Sequence, residues 1–283
     1  MQTDYFTTPA GHRLALSVFG PADGRPVLFF HGGGQTRHAW GRAGEALGKR
    51  GWRALCVDMR GHGDSDRVAN YHATDFADDV RALAESQRQK PVIVGASLGG
   101  IAAMIANAGH GAAPGTPVEI SRALVLVDIA PRVNPEGVNR ILDFMAAHTA
   151  GFASLDEAAA AVAAYQPQRT QRSDNSGLRK NLRQADDGRW YWHWDPDMLA
   201  QFRRTRDETS DEDALYRAAE GLTQPVLLVR GAQSDVVSED ITREFQARIP
   251  QARVADVSGA GHMVAGDRND VFLDAVLAFL DEL

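Results

Sequence analysis

The chain of 283 residues contains one cysteine, Cys56, so no internal disulfide can form. Cys56 lies in the apolar run Arg53-Ala54-Leu55-Cys56-Val57, which points to a buried, inert thiol. Long hydrophobic stretches are missing: none approaches the roughly 18–20 residues that span a bilayer, so no membrane partner is expected. The start, Met1-Gln2-Thr3-Asp4-Tyr5, has neither a basic region nor an apolar one and shows no secretory signal. Basic residues are outnumbered 30 to 37 by acidic ones, for a net charge of −7, and no Lys/Arg run could track a phosphate backbone. Nucleic acid is therefore excluded as a partner. A reduced, cytoplasmic protein is the expectation. The mix is that of an ordinary globular chain, 44% apolar and 24% charged, which rules out disorder, collagen-like repeats and a disulfide-stapled miniprotein.

What is present is a series of short runs rich in Val, Leu, Ile and Phe: Val27–Phe30, Ala54–Val57, Pro91–Val94, Ala123–Val127 and Pro225–Val229. They are of strand length and continuous rather than alternating, as in strands covered on both faces of a parallel sheet. Helix-like stretches separate them: Asp75–Arg88, Ser97–Ala108, Ser238 to about Arg248, and an amphipathic Asp270–Leu283. Strand–helix alternation of this kind builds an α/β fold on right-handed crossovers. His12–Phe19 alternates after Pro9-Ala10-Gly11 and reads as an edge hairpin strand.

The alternation stops after Ala130. Pro135–Ala147 reads as a helix, Ser154-Leu155-Asp156-Glu157 as a capping box opening a second, and Asp197–Arg206 and Asp211–Glu220 as two more. Between them lies Arg189-Trp190-Tyr191-Trp192-His193-Trp194-Asp195-Pro196, with three of the five tryptophans. No run of core-strand type occurs here. Residues 131–221 are therefore expected to form a helical lid spliced into a core made of residues 1–130 and 222–283. The alternative is one continuous domain with long helical connections.

The strongest chemical signal is Gly95-Ala96-Ser97-Leu98-Gly99, placed after the strand Val92-Ile93-Val94 and ahead of Gly100-Ile101-Ala102-Ala103. G-x-S-x-G between a strand and a helix forms a sharp turn that lifts the serine hydroxyl clear and aims a helix N-terminus at the reacting carbonyl. Ser97 is the candidate nucleophile. A serine needs a base, and His262, framed by Gly259, Gly261 and the last strand-like run, is the candidate. The base needs an acid to hold its tautomer. Asp235, after the strand Val226–Val229, is the first choice, and Asp128, ending Leu124–Val127, is the rival. Phe30-His31-Gly32-Gly33-Gly34 leaves another strand with a glycine run whose N–H groups lie open to an oxyanion. Gly33, with the N–H of Leu98, is expected to form that hole. This loop has neither the Walker pattern nor G-x-G-x-x-G, and no His/Cys cluster has metal-ligand spacing, so no cofactor and no metal are expected. Trp40, Trp192 and Met263 are expected to line an apolar substrate pocket.

These pieces, with Asp58-Met59-Arg60-Gly61-His62-Gly63-Asp64-Ser65-Asp66, follow one another in the order of an α/β-hydrolase, and the chain resembles that superfamily over nearly its whole length. It is most similar to the lidded branch that holds carboxylesterases, lactonases, C–C bond hydrolases, cofactor-free haloperoxidases and epoxide hydrolases. The resemblance implies an eight-stranded, mostly parallel sheet flanked by helices, with the helical lid inserted after the sixth strand. It implies a structural role for His31 and for Arg60–Asp66. Epoxide hydrolases and haloalkane dehalogenases carry aspartate where Ser97 stands, which argues against both activities. The expectation is a serine hydrolase of the carboxylesterase or lactonase type, acting on a small, largely apolar ester or lactone as monomer or homodimer. The alternatives are hydrolysis of a C–C bond in a diketone, cofactor-free perhydrolysis, and, more remotely, a ligand receptor on the same fold.

Overall fold

A computed structural model of the chain describes residues 3–109, 120–166, 175–209, 212–262 and 269–283. Among the described residues ten strands follow one another: β1 (Asp4–Thr7), β2 (Arg13–Phe19), β3 (Arg25–Phe30), β4 (Trp52–Val57), β5 (Val92–Ala96), β6 (Ala123–Val127), β7 (Leu182–Gln184), β8 (Trp190–Trp192), β9 (Val226–Gly231) and β10 (Ala252–Val257). Eight of them form one sheet in the order β1-β2-β4-β3-β5-β6-β9-β10, and β7 pairs with β8 alone. From β4 to β10 all neighbours are parallel. The first hairpin is antiparallel both internally and to β4. The fold is thus the expected α/β fold with an eight-stranded, mostly parallel sheet. The edge position differs from expectation: β1 lies outside β2, with Tyr5 opposite Ala15, so β2 is paired on both sides.

Nine α-helices occur among the described residues: α1 (Gly41–Lys49), α2 (Ala73–Glu85), α3 (Leu98–Asn107), α4 (Pro135–Ala147), α5 (Leu155–Tyr165), α6 (Pro196–Thr209), α7 (Glu212–Glu220), α8 (Glu239–Arg248) and α9 (Asn269–Leu280). None of the described helices is long and apolar enough to cross a membrane. The continuous apolar strands sort their side chains by pleat parity. Val27 and Phe29 of β3 join Val92, Val94 and Val125 in a layer closed by Leu47 of α1 and by Phe272 and Val276 of α9. Leu28 and Phe30 join Ile93, Leu124 and Leu126 in the opposite layer, closed by Phe76 and Val80 of α2, Ala102 of α3 and Phe245 of α8. Cys56 is fully buried in the first layer, and that burial pushes its thiol pKa up, so it stays protonated and inert.

Helix ends are set by local chemistry. Ser154 Oγ accepts the N–H of Glu157 at 3.1 Å to open α5, and Asn134 caps α4 ahead of Pro135. Between β6 and β9 the chain adds α4–α7 and, where only helices were expected, the β7–β8 hairpin. Leu182 pairs with Trp192 and Gln184 with Trp190 in that hairpin. It is stitched to the loop after β4: Gly63 N–H donates to His193 O at 2.7 Å, and Asp195 N–H to Gly61 O at 2.8 Å. The Tyr71 hydroxyl donates to Asp195 Oδ2 at 2.6 Å. One margin of the inserted segment is therefore built into the core by main-chain bonds.

Candidate active site

Strand β5 delivers Ser97 to the sheet's C-terminal edge at φ 46° and ψ −115°, a conformation an L-residue adopts only under constraint. The flanking glycines explain how the turn closes. A Cβ at Gly95 would lie 2.5 Å from Gly99 O, and one at Gly99 would lie 2.5 Å from Phe30 O, so any side chain would collide with backbone. Ser97 N–H donates to Val127 O at 3.2 Å, and its carbonyl accepts from Gly100 and Ile101 to start α3. The hydroxyl makes no hydrogen bond among the described residues. It is left at the helix N-terminus beside the N–H of Leu98, one of the donors the helix cannot satisfy internally.

The glycine loop after β3 sits next to it; a Cβ at Gly32 would stand 3.3 Å from Ser97 Cβ. Gly32 N–H donates to Gln35 Oε1 at 3.2 Å and Gly34 N–H to His62 Nε2 at 3.2 Å. The N–H of Gly33 between them makes no hydrogen bond among the described residues. Two buried histidines brace this loop. His31 donates from Nδ1 to Gly32 O at 2.8 Å and accepts Met59 N–H at Nε2. His62 donates from Nδ1 to Arg60 O at 3.0 Å, which leaves its Nε2 to accept from Gly34. Both rings use one donor and one acceptor, the pattern of neutral imidazole. Burial holds their pKa values down, to about 4 for His31 and about 3 for His62, where the neighbouring His31 adds to the effect. Both act as supports rather than bases, in line with the structural role expected for His31.

His262 follows β10, and its Nδ1 lies 2.7 Å from Asp128 Oδ2. Asp128 is fully buried at the end of β6, with φ 50°, and its own N–H donates to Val229 O at 2.8 Å. Gly231 N–H donates to Asp128 Oδ1 at 2.9 Å. The absent side chain of Gly231 is what lets the His262 loop approach, since a Cβ there would lie 2.2 Å from Gly261 O. The carboxylate facing His262 is therefore Asp128, and the first choice from the sequence, Asp235, is corrected by the geometry. Asp235 turns outward, half exposed, and pairs with Arg140 of α4, whose Nε is 3.1 Å away. The loop carrying Asp235 is taken up by α4: a Cβ at Gly137 would lie 2.3 Å from Asp235 O. His262 Nε2 makes no hydrogen bond among the described residues, so it is free to accept a proton. Among the described residues no group of three or more His, Cys, Asp or Glu side chains could hold a metal ion.

A family model for the alpha/beta hydrolase fold matches residues 25–268. The chain belongs to that family. Similar relatives of this alpha/beta hydrolase include the 3-hydroxybutyrate-oligomer hydrolase of Cupriavidus necator, 30% identical over 269 residues and covering 90% of this chain and 89% of that one. The 2-(acetamidomethylene)succinate hydrolase of Mesorhizobium japonicum is 30% identical over 277 residues, covering 95% and 92%. The crystal structure of E-2-(acetamidomethylene)succinate hydrolase matches with a TM-score of 0.85 at 25% identity, covering 99% of both chains.

The three residues expected to line a pocket in this alpha/beta hydrolase fare differently. Trp40 is 1% exposed and packs on Phe29 and Phe272 at ring distances of 5.2 and 5.6 Å. It is a core residue under α1 and α9, and it is withdrawn as a substrate contact. The short 3-10 turn Arg37–Trp40 carries its side chain away from the glycine loop. Met263 lies outside the described residues. Trp192 belongs to an aromatic group in the inserted segment, stacked on Trp194 at 4.9 Å and edge-on to Phe144 and Phe152. Met145, which the sequence did not single out, and Trp194 of the tryptophan-rich run both reach the glycine loop after β3. A Cβ at Gly34 would stand 3.2 Å from Met145 Cε and 3.4 Å from the Trp194 ring, so α4 and the strand-end tryptophan roof that loop. The signal for Met145 was only its place on an amphipathic helix.

Proposed function

We propose that the protein is a serine hydrolase that cleaves a small, largely apolar carboxylic ester or lactone through an acyl-enzyme. The observation that carries this reading is the His262–Asp128 pair on the same sheet edge as a hydroxyl held in a strained strand-to-helix turn. Ser97 Oγ attacks the carbonyl carbon, and its proton passes to His262 Nε2. Asp128 stays ionised and stabilises the imidazolium through the Nδ1–H bond. The charge that develops on the carbonyl oxygen is met by the N–H groups of Gly33 and Leu98; loss of one such donor typically costs about 10²–10³ in rate. His262 protonates the leaving oxygen as the C–O bond breaks. It then takes a proton from water, whose oxygen attacks the acyl carbon, and returns that proton to Ser97 Oγ as the acyl–oxygen bond to Ser97 breaks.

Residues 131–221 act as the lid over this site. A small acyl group is favoured because Met145 and Trp194 crowd Gly34, the residue next to the Gly33 donor, so closely that a Cβ there would meet them at 3.2 and 3.4 Å.

The test is labelling with a fluorophosphonate, with mass mapping of the modified peptide, beside hydrolysis of short p-nitrophenyl esters by wild type and Ser97→Ala. Label on Ser97 and loss of turnover in the variant are expected. Hydrolysis by Ser97→Ala near the wild-type rate refutes the mechanism. Faster turnover of diketones, or of acetate with hydrogen peroxide to a peracid, than of any ester or lactone overturns the substrate class.

A further inference from the structure

Besides His262 and Gly231, the Asp128 carboxylate has a third contact, the Ser234 hydroxyl, 2.5 Å from Oδ2. Ser234 Oγ also lies 3.1 Å from the N–H of Val236 and 3.1 Å from the N–H of Val237. A hydroxyl has one hydrogen and two acceptor positions. Amides only donate, so the two valine N–H groups occupy the acceptor positions, and the Ser234 hydrogen points to Asp128. Oδ2 thus receives two donors, from Ser234 and His262, while Oδ1 receives Gly231 N–H. The loop that carries Ser234 is itself pinned, since Asn134 N–H at the start of α4 donates to Val236 O at 2.9 Å.

Resting on the triad reading above, we propose that Ser234 is a positioning residue of the hydrolytic site. It fixes the Asp128 rotamer and draws negative charge from Oδ2, and so sets the pH at which His262 becomes available as a base. Donation to a carboxylate favours its ionised form and weakens its hold on a partner's proton. Without the Ser234 hydrogen, Asp128 binds the imidazolium more tightly, and His262 gives up its proton only at higher pH. The acid limb of the kcat/KM profile then moves upward, a change that a merely structural serine would not cause.

The experiment compares wild type, Ser234→Ala, Ser234→Thr and Ser234→Cys on a short p-nitrophenyl ester across the pH range. Ser234→Ala is expected to lose about 10- to 100-fold in kcat/KM at neutral pH, mainly in kcat, and to raise the acid limb by about half a unit or more. Ser234→Thr, which keeps the hydroxyl, restores both. Ser234→Cys keeps the shape with a weaker donor and gives a smaller shift of the same sign, which retains the test should the alanine variant fail to fold. An unmoved acid limb in both the alanine and the cysteine variants, with turnover still blocked by fluorophosphonate, overturns the role of Ser234 alone. Turnover that fluorophosphonate does not block in wild type overturns the triad reading instead.

Discussion

Ser97 and Asp128 sit at the ends of adjacent parallel strands and are the two non-glycine residues with positive φ among those described, at 46° and 50°. The Ser97 N–H donates to the carbonyl of Val127, the residue before Asp128, so the two bends lock one another. Each bend costs of order 1–3 kcal/mol and turns a side chain away from the direction its strand would give it. Ser97 is lifted over α3, and Asp128 is swung sideways towards β9 and the His262 loop.

The direction of Asp128 separates the two candidate acids. Asp128→Asn is expected to lower kcat by about 10³–10⁴-fold, because the amide would hold His262 in the wrong tautomer. Asp235→Asn is expected to change kcat less than about threefold, since it disturbs only a solvent-exposed pair with Arg140. Steady-state kinetics on one ester decides it. The opposite ranking would restore Asp235.

Strain at Ser97 predicts opposite effects on stability and activity. Ser97→Gly is expected to abolish turnover and to stabilise the fold by about 1 kcal/mol, as relief of the backbone exceeds the extra entropy of the unfolded glycine. Ser97→Ala abolishes turnover without that gain, because its Cβ keeps the constraint. Denaturant melts of the three proteins provide the check, and a glycine variant no more stable than the alanine one removes the strain argument.

The parts legible in the sequence were those where one residue type has one physical use. Five aliphatic runs gave five strands of the sheet, and Gly95-Ala96-Ser97-Leu98-Gly99 gave the turn, because only glycine fits against the backbone on either side. The carboxylate that faces His262 was not legible in this way. Asp128 and Asp235 both end a strand and both precede His262, and what separates them is a φ of 50° and the gap at Gly231 that admits Gly261. Helix α1 escaped notice because Gly41, Gly44 and Gly48 are poor helix formers. Packing demands two of them: a Cβ at Gly44 would lie 2.6 Å from the Phe19 ring, and one at Gly48 would lie 2.8 Å from Gly20 N. Trp40 looked close to the site because it follows the glycine loop, but a single 3-10 turn is enough to deliver it to the other layer.

The roof over Gly34 predicts a specificity change. Met145→Ala removes the side chain that a Gly34 Cβ would meet at 3.2 Å, and opens space beside the Gly33 donor. The ratio of kcat/KM for hexanoyl over acetyl p-nitrophenyl esters is expected to rise about tenfold, in line with the 1–3 kcal/mol that a methylene or two can be worth in an apolar pocket. An unchanged ratio would mean that α4 does not bound the acyl site.

The buried histidines predict how stability depends on pH. His31 and His62 are held neutral in the fold, with pKa values near 4 and 3, while the unfolded chain protonates them near the ordinary value of 6.5. Below that value the unfolded state binds more protons, so stability falls as pH falls. The contribution is fully present above about pH 7 and is lost progressively towards pH 4, at up to about 1.4 kcal/mol per pH unit for each ring. Burial also lowers the pKa of His38 and His193, which adds to the same slope. The carboxyls of Asp64 and Asp66 are shifted below their usual range by Arg37 and Arg13, so they act at lower pH and leave the upper window to histidine. Urea unfolding at pH 7, 6 and 5 should show the decline, and His62→Gln, which keeps an acceptor for Gly34 N–H but cannot titrate, should make it shallower, by at most about 1.4 kcal/mol per unit. Stability that stays level from pH 7 to 5 would show that these rings are not the neutral supports of the glycine loop.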